Sequence, residues 1–139
     1  MGTGIANKSP AKSGKRVGLT NIRTGMGTDA IGQALIENLH CLQGMLPQHA
    51  TRNDWYMALA YTIRDRLLDG YIDTVEVIAS KESAVKVVAY LSAEFLTGPH
   101  LGNGLIALGI REQARQAVAS VGQDLDDLLE QEEEPGLGN

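Results

Sequence analysis

The stretch that decides the fold is residues 85–99, which read VKVVAYLSAEFLTGP. Its first seven residues are rich in β-branched side chains and nearly continuous in apolar character, a pattern typical of a buried parallel strand. Glu94 follows two or three residues beyond this run. Because ligands in open α/β sheets bind outside the carboxyl ends of the strands, the stretch predicts a core strand with a candidate site at its end.

Two helices are predicted upstream of this strand, over residues 28–43 and 52–80. Thr28 or Asp29 is expected to cap the first of them. Thr51 and Asp54 have the spacing of a capping box, so they are expected to begin the second. The apolar residues of the long second helix form a wide surface, which predicts that both of its sides meet other protein.

Three shorter helices are predicted downstream, over residues 99–108, 111–121 and 125–131. Pro99 suits the first turn of the first helix, and Asp124 is placed to cap the last. One strand among five helices is an incomplete sheet, because a buried strand needs a neighbour on each edge. The chain is therefore expected to be an α/β piece of something larger, mostly helical with one core strand.

Composition and charge narrow the classes of partner. The chain has 139 residues, the length of one ordinary domain, and a net charge of -5. Residues 1–27 are rich in Gly, Lys, Ser and Thr, which predicts a flexible basic arm ahead of a unit spanning 28–139. The arm has no aromatic residue to stack on bases, so nucleic acid is not an expected partner.

Membranes and disulfides are also not expected. No apolar run reaches the roughly 20 residues that span a bilayer, and no signal peptide is recognisable. The single cysteine, Cys41, cannot form an internal disulfide, which favours a reducing, cytoplasmic setting. Its place in an apolar helix predicts a core position. The histidines show no metal-ligand spacing with Cys41 or with one another, so no metal site is predicted.

Two groups of residues are candidates for ligand contact. Glu94, at the end of the strand, can accept hydrogen bonds or set the local charge, although a helix cap or a salt bridge would explain it equally well. Residues 136–139, Gly136-Leu137-Gly138-Asn139, can bring backbone N–H groups close to an anion, although a simple turn has the same composition. The carboxylates of 124–134 are interpreted as a mostly solvated helix face.

At these same positions the sequence resembles a known family. Residues 88–103, VAYLSAEFLTGPHLGN, resemble the first conserved block of the glycogen and starch phosphorylases. Residues 125–139, LDDLLEQEEEPGLGN, are similar to the next block, with matching spacing between the two. Residues 53–60 and 64–67 are similar to the helix that precedes the first strand. The resemblance runs from about residue 24 to residue 139.

The resemblance implies the N-terminal portion of a two-domain, Rossmann-like (GT-B) glycosyltransferase. Such enzymes use phosphate to release α-glucose 1-phosphate from an α-1,4-glucan, are usually homodimers, and are in many cases allosteric. They hold pyridoxal phosphate on a lysine that would lie outside this chain. The chain alone is therefore predicted to be inactive. The alternative is a stand-alone glucan-binding, dimerisation or regulatory module derived from a phosphorylase.

The resemblance also assigns residues to a phosphate and substrate region. Glu94 matches a glutamate beside the phosphate and the cofactor, and Gly98 matches the glycine that follows it. Gly136, Leu137, Gly138 and Asn139 match the start of the loop that contacts phosphate and glucose. Two departures stand out. Leu96 occupies a position where many relatives carry a bulky group, and Pro99-His100 replaces an arginine-containing step of the animal enzymes, which is a bacterial feature.

Overall fold

The computed structural model of the chain describes residues 21–80, 85–95 and 97–133. The larger part of the predicted arm, Leu96 and the glycine-rich residues 136–139 lie outside these ranges. Within them the chain is helical, and no strand is formed. The helices are α1 (Asn21–Thr24), α2 (Thr28–Cys41), α3 (Arg52–Ala79), α4 (Leu101–Ala107), α5 (Arg111–Ser120) and α6 (Leu125–Leu129).

Local capping signals fix the starts of α3 and α6. The Thr51 hydroxyl accepts a hydrogen bond from the Asp54 backbone N–H at 3.2 Å, and the Asp54 carboxylate accepts one from the Thr51 N–H at 2.8 Å. The predicted capping box is thus confirmed. The Thr51 hydroxyl also donates to the Asp54 carboxylate at 2.7 Å. This hydrogen bond, and after it the one from the Thr51 N–H, lowers the pKa of Asp54. The Asp124 carboxylate caps α6 by accepting from the N–H groups of Asp126 and Asp127.

The start of α2 differs from the prediction. Gly27 is its N-cap, in an extended conformation, and no side chain caps the helix. Capping by Thr28 or Asp29 is therefore wrong, because both residues already lie within the first helical turn. The Thr28 hydroxyl is used elsewhere, donating to the Gln116 side chain on α5 at 3.1 Å.

The core lies where the first half of α3 packs against α2, α4 and α6, and α5 completes it by packing on α2, α4 and α6. The helical spacing predicts an apolar stripe of Trp55, Leu59, Ile63 and Leu67, of which the first three are buried and Leu67 is 42% exposed. The other large buried apolar residues are Ile31, Leu35, Leu39, Leu101, Leu105, Ile110, Val118, Leu125 and Leu128. Cys41 is exposed, so its predicted core position is wrong. It is the last residue of α2 and does not lie on the buried face of that helix, which includes Asn38 and Leu39.

Gly104 allows α4 to lie directly against α3. A Cβ atom at this position would come within 3.4 Å of Leu67 Cδ1 and 3.5 Å of Ile63 Cγ2. The two helices therefore approach closely, which sets the start of α4 beside the middle of α3.

The predicted strand is not formed among the described residues. Residues 85–91 have no regular secondary structure, and the side chains of Val88 and Leu91 are 88% and 93% exposed. A strand needs neighbours that form a ladder of hydrogen bonds with it, and residues 85–91 form no ladder with the other segments that the structure describes. The structure confirms the helical part of the predicted fold and leaves the strand without support.

The predicted arm overlaps with the helical unit at its end. Residues 21–24 form α1, which packs on α2 and α3. The helical unit therefore begins before residue 28, the boundary expected from composition.

Candidate functional site

Glu94 lies in an exposed turn closed by Ser92. The Ser92 hydroxyl accepts from the Glu94 N–H at 3.1 Å and donates to the Glu94 carbonyl at 2.9 Å. The Ser92 side chain thus holds the turn, while the Glu94 residue is exposed to solvent. Nothing in this geometry favours the alternative interpretation of Glu94 as a helix cap, since no helix begins at this position.

Gly98 has a φ of 65°, in the left-handed region that non-glycine residues rarely adopt. It precedes Pro99, and together they turn the chain into α4. The Pro99 carbonyl accepts a hydrogen bond from the Asn103 side-chain amide at 3.1 Å. The turn that follows Glu94 is therefore constrained by backbone conformation and by a side chain of α4.

The start of α4 is bound by a carboxylate from the far end of the described chain. Glu132 Oε1 accepts from the His100 N–H at 2.6 Å, and Glu132 Oε2 accepts from the Leu101 N–H at 2.9 Å. The first N–H groups of a helix have no partner within the helix, and the helix dipole favours an anion there. We call Gly98–Leu101, Asn103 and Glu132 the α4 junction.

The α4 junction brings together two regions of the chain that are about 30 residues apart. On one side it holds the residues that follow Glu94. On the other, Glu132 stands four positions before Gly136 in the sequence. Glu132 is not among the residues predicted from the sequence, because the acidic run around it was interpreted as a solvated helix face. No spacing rule links an acid to a helix start 31 residues away, so only the tertiary structure identifies the contact.

A groove of about 170 Å³ lies beside the α4 junction, between α3 and α4. Tyr56, Ile63 and Leu67 of α3 line it together with Leu101 and Glu132. Burial raises the pKa of Tyr56, and the negative charges of Glu132 and Glu133 raise it further. The Tyr56 hydroxyl therefore stays protonated at neutral pH and can donate or accept a hydrogen bond.

A second polar cluster fastens α1 to the helical unit. The Arg66 guanidinium, 1% exposed, donates to the carbonyls of Thr62 at 2.6 Å, Gly25 at 2.9 Å and Ile22 at 3.2 Å. Burial lowers the pKa of Arg66, with the nearby Asp65 carboxylate acting against this, and the group remains charged. Its donors are used on backbone carbonyls, which makes the cluster structural.

Two further hydrogen-bonded residues extend this cluster across α2. Arg23 of α1 donates to Asp65 at 2.8 Å and to Asn38 at 3.0 Å. Asn38, completely buried, donates to the Thr62 hydroxyl at 2.9 Å. Asn38 and Thr62, which are both completely buried, were not predicted from the sequence, because they lie on apolar helical faces.

The part of the chain that the structure describes contains no group of three or more histidine, cysteine, aspartate or glutamate side chains able to hold a metal ion. No helix in those ranges, the 28-residue α3 included, is both long and apolar enough to cross a bilayer.

No family model matches this chain, but several known proteins do. The chain is 54% identical over 117 residues to a protein of Synechocystis sp. named glycogen phosphorylase. A protein of the same name from Haemophilus influenzae is 38% identical over 117 residues. The brain form of glycogen phosphorylase from Bos taurus is 41% identical over 90 residues.

The matches cover most of this chain and a small part of each relative. The Synechocystis and Haemophilus matches include 84% of this chain, and the chain spans 14% of the length of either relative. The bovine match includes 65% of this chain and 10% of the relative. The chain is therefore homologous to the glycogen phosphorylases and is consistent with an N-terminal fragment of a protein of that family.

Proposed function

We propose that this chain is the N-terminal part of an enzyme that uses phosphate to release glucose 1-phosphate from an α-1,4-glucan, and that this part alone is inactive. The observation that carries the proposal is the 54% identity over 84% of the chain to a glycogen phosphorylase seven times as long as the matched segment. An α-glucan phosphorylase is a glycosyltransferase, so the proposed reaction is transfer of a hexosyl unit to phosphate.

The exposed apolar surface supports the proposal that the rest of a two-domain GT-B fold covers this part. Seven large apolar residues in the last four turns of α3 are 40–62% exposed. They are Leu67, Leu68, Tyr71, Ile72, Val75, Val77 and Ile78. In residues 85–91, Val85 is 53% exposed, and the other large apolar residues are 72–93% exposed. In the whole enzyme we place 85–91 as a strand between neighbours from the remaining polypeptide, with the end of α3 packed against that sheet.

We propose that Glu94 and Gly98 belong to the phosphate and substrate region of that enzyme, with Gly136, Leu137, Gly138 and Asn139 beginning its glycine loop. The fixed turn at Ser92 and the positive φ of Gly98 support a defined position for Glu94. A carboxylate there contributes charge and a hydrogen-bond acceptor beside the phosphate. The glycine loop would contribute backbone N–H donors to an anion.

The family resemblance implies pyridoxal phosphate in the parent enzyme. The described ranges contain one lysine, Lys86, which lies in the exposed segment before the Glu94 turn. An exposed lysine with no enclosing pocket does not suit a cofactor that the protein must bind and orient. The described residues therefore do not form the cofactor site by themselves, and we assign the cofactor lysine to the remainder of the enzyme.

The alternative function is a stand-alone module that binds glucan or dimerises. The exposed apolar part of α3 favours dimerisation, because unpaired patches of this kind mark interaction sites. For the parent enzyme we propose a homodimer in the cytoplasm, on the basis of the family and of the single cysteine. Glucan and phosphate are its proposed small-molecule partners.

The proposal is tested in a chimera. In the Synechocystis glycogen phosphorylase, the 117-residue matching segment is replaced by that of this chain, and glucose 1-phosphate formation from glycogen and phosphate is measured. We expect the chimera to be active and the isolated chain to give no product above a no-protein control, with pyridoxal phosphate present in both assays. An inactive, correctly folded chimera would contradict the proposed function. Co-sedimentation of the isolated chain with glycogen would instead support the binding module.

The role of Glu94 is tested in the same chimera by Glu94→Ala. We expect turnover to fall by at least about 100-fold, the magnitude typical of losing one electrostatic group from a preorganised site, with the melting temperature nearly unchanged. Glu112→Ala removes an exposed carboxylate on α5 and is the matched control. Equal turnover of the two variants would leave Glu94 without a role in the reaction.

A further inference from the structure

We propose that Glu132 is a positioning residue of the phosphate and substrate region: it binds the start of α4 and thereby fixes where Glu94 stands relative to the helical unit. This inference rests on the proposed function. Its basis is the α4 junction, in which both carboxylate oxygens of Glu132 accept backbone N–H groups of residues 31 and 32 positions away.

The segment that carries Glu94 depends on the α4 junction for its anchor. Residues 85–95 lie at the surface as a non-helical segment, with Ser92 alone not exposed among them. The connection from Glu94 to the core runs through Gly98 and Pro99 to Leu101, which is 7% exposed and belongs to the core. The start of α4 at Leu101 lies seven positions after Glu94 in the chain, and the proposal is that a displacement of this start also displaces Glu94.

The Gly98–Leu101 part of this connection is constrained. Gly98 has a φ of 65°, proline fixes its own φ, and the Pro99 carbonyl accepts a hydrogen bond from Asn103. The His100 and Leu101 N–H groups, which would otherwise point unpaired from the helix start, both end on Glu132. A constrained connection passes on the position of its anchor, which is what a positioning residue requires.

Glu132 is itself well anchored. It follows α6, whose Leu125 and Leu128 are each 1% exposed in the core, and its own N–H donates to the Leu129 carbonyl at 3.3 Å. Between them, α6 and the Glu132 carboxylate tie the Glu94 segment to the same core that holds α3. A residue that served as a helix cap alone would stabilise α4 without affecting how the enzyme handles phosphate.

The two roles are separated by kinetics in the active chimera, using Glu132→Ala, Glu132→Gln and the control Glu130→Gln. We expect Glu132→Ala to lower kcat/KM for phosphate at least tenfold while the KM for glycogen stays within twofold, because a small misplacement of a site group is costly to the reaction. Glu132→Gln keeps one oxygen that can accept a hydrogen bond, so it is expected to lie between Glu132→Ala and the unchanged chimera. Glu130→Gln, two residues away and outside the α4 junction, is expected to match the unchanged chimera.

Hydrogen exchange measured by mass spectrometry supplies the second readout. Peptides covering residues 97–104 are expected to exchange faster in both Glu132 variants, and those from α5 are expected to be unaffected. Faster exchange with unaltered phosphate kinetics would reduce Glu132 to a helix cap and overturn the inference. An inactive parent chimera would overturn the proposed function and this inference together, whereas an active chimera with silent Glu132 variants overturns the inference alone. If Glu132→Ala fails to fold, the shape-conserving Glu132→Gln decides.

Discussion

The two halves of α3 are both rich in apolar residues, but only the first half is covered by other helices. In residues 52–66, the covered half, six side chains are buried: Trp55, Ala58, Leu59, Thr62, Ile63 and Arg66. In residues 67–79, the open half, seven large apolar side chains are 40–62% exposed. One uninterrupted helix, running through Gly70, therefore has a buried apolar face in its first half and an exposed apolar surface in its second half.

The difference between the halves is one of cover. α2, α4 and α6 pack on the covered half. In the open half, Leu67 lies beside Gly104 of α4, whereas residues 70–79 are all exposed, so the described segments leave most of this half uncovered. Apolar side chains stabilise a fold only when their surface leaves water, so the open half gains little from its leucines, isoleucines and valines in this chain. We therefore propose that the first half of α3 belongs to the core described here and the second half to a core formed with the rest of the parent enzyme.

The largest expected effect comes from truncating one leucine in each half. Leu59→Ala should lower the free energy of unfolding by about 3 kcal/mol, since Leu59 is fully buried and its loss leaves a cavity. Leu68→Ala, at a side chain that is 45% exposed, should change it by less than about 0.5 kcal/mol. Urea unfolding followed by circular dichroism measures both.

The same pair made in the chimera sharpens the comparison. There Leu68→Ala should cost about 2 kcal/mol or more, because the open half is expected to be covered. A Leu68 substitution that remains neutral in the chimera would show that this half stays exposed in the whole enzyme.

A smaller effect is expected at the boundary between the halves. Arg66→Met keeps the aliphatic stem and removes the three hydrogen bonds to the carbonyls of Ile22, Gly25 and Thr62, at an expected cost of about 2 kcal/mol. Arg64→Met removes an exposed guanidinium from the same turn and should cost less than about 0.5 kcal/mol. Hydrogen exchange should show α1 losing protection in the Arg66 variant alone; intact protection there would mean that α1 is held by other contacts.

The smallest expected effect lies at the ends of α3. Thr51→Ala removes the cap of the covered half and should cost about 1 kcal/mol. Ser80→Ala removes the hydroxyl that donates to the Val77 carbonyl at the end of the open half, and it should cost at most a few tenths of that. If Ser80→Ala were as costly as Thr51→Ala, the open half would be better supported than the structure indicates.

The effect of Thr51→Ala should also depend on pH. Thr51 hydrogen bonds lower the pKa of Asp54 below its ordinary value of 3.8, so the folded state favours the ionised carboxylate. This stabilisation is present above pH 3.8 and is lost as the pH falls through the lower folded pKa. The stability difference between the parent chain and Thr51→Ala should therefore shrink in acid titrations below about pH 4. A difference that stays constant to pH 2 would mean that Asp54 gains nothing from the cap.

Local signals allowed much of this fold to be predicted. The predicted long helix, 52–80, differs from α3 by one residue, and the caps at Thr51 and Asp124 follow from hydrogen bonds within three residues. Such signals depend on neighbours in sequence, so they survive in any tertiary setting. The strand at 85–91 depends on partners from other segments, and its pattern alone could not supply them.

The polar contacts of the candidate site could not be predicted. Arg66 reaches residues more than 40 positions earlier, and Glu132 reaches a helix start 31 positions earlier. In sequence an arginine on an apolar helix and a glutamate in an acidic run are both indistinguishable from solvated residues. Glu94 was a candidate from its place at the end of the predicted strand, and the resemblance to a family block assigned a role to Glu94 and Gly98. That role stays a prediction.

The burial of Leu125 and Leu128 has a consequence for how such a polypeptide is made. The helical unit lacks α6, and so part of its core, until nearly all of the chain described here has been synthesised. The open half of α3 leaves the ribosome before α6 does. It stays exposed for longer than the covered half, since the sheet proposed to cover it is encoded further downstream. At about 5–20 residues per second, a protein of the relatives' length takes roughly a minute more to complete. During that interval the open half presents the nascent chain's most exposed helical apolar surface within the described ranges, and we expect chaperones to bind it there.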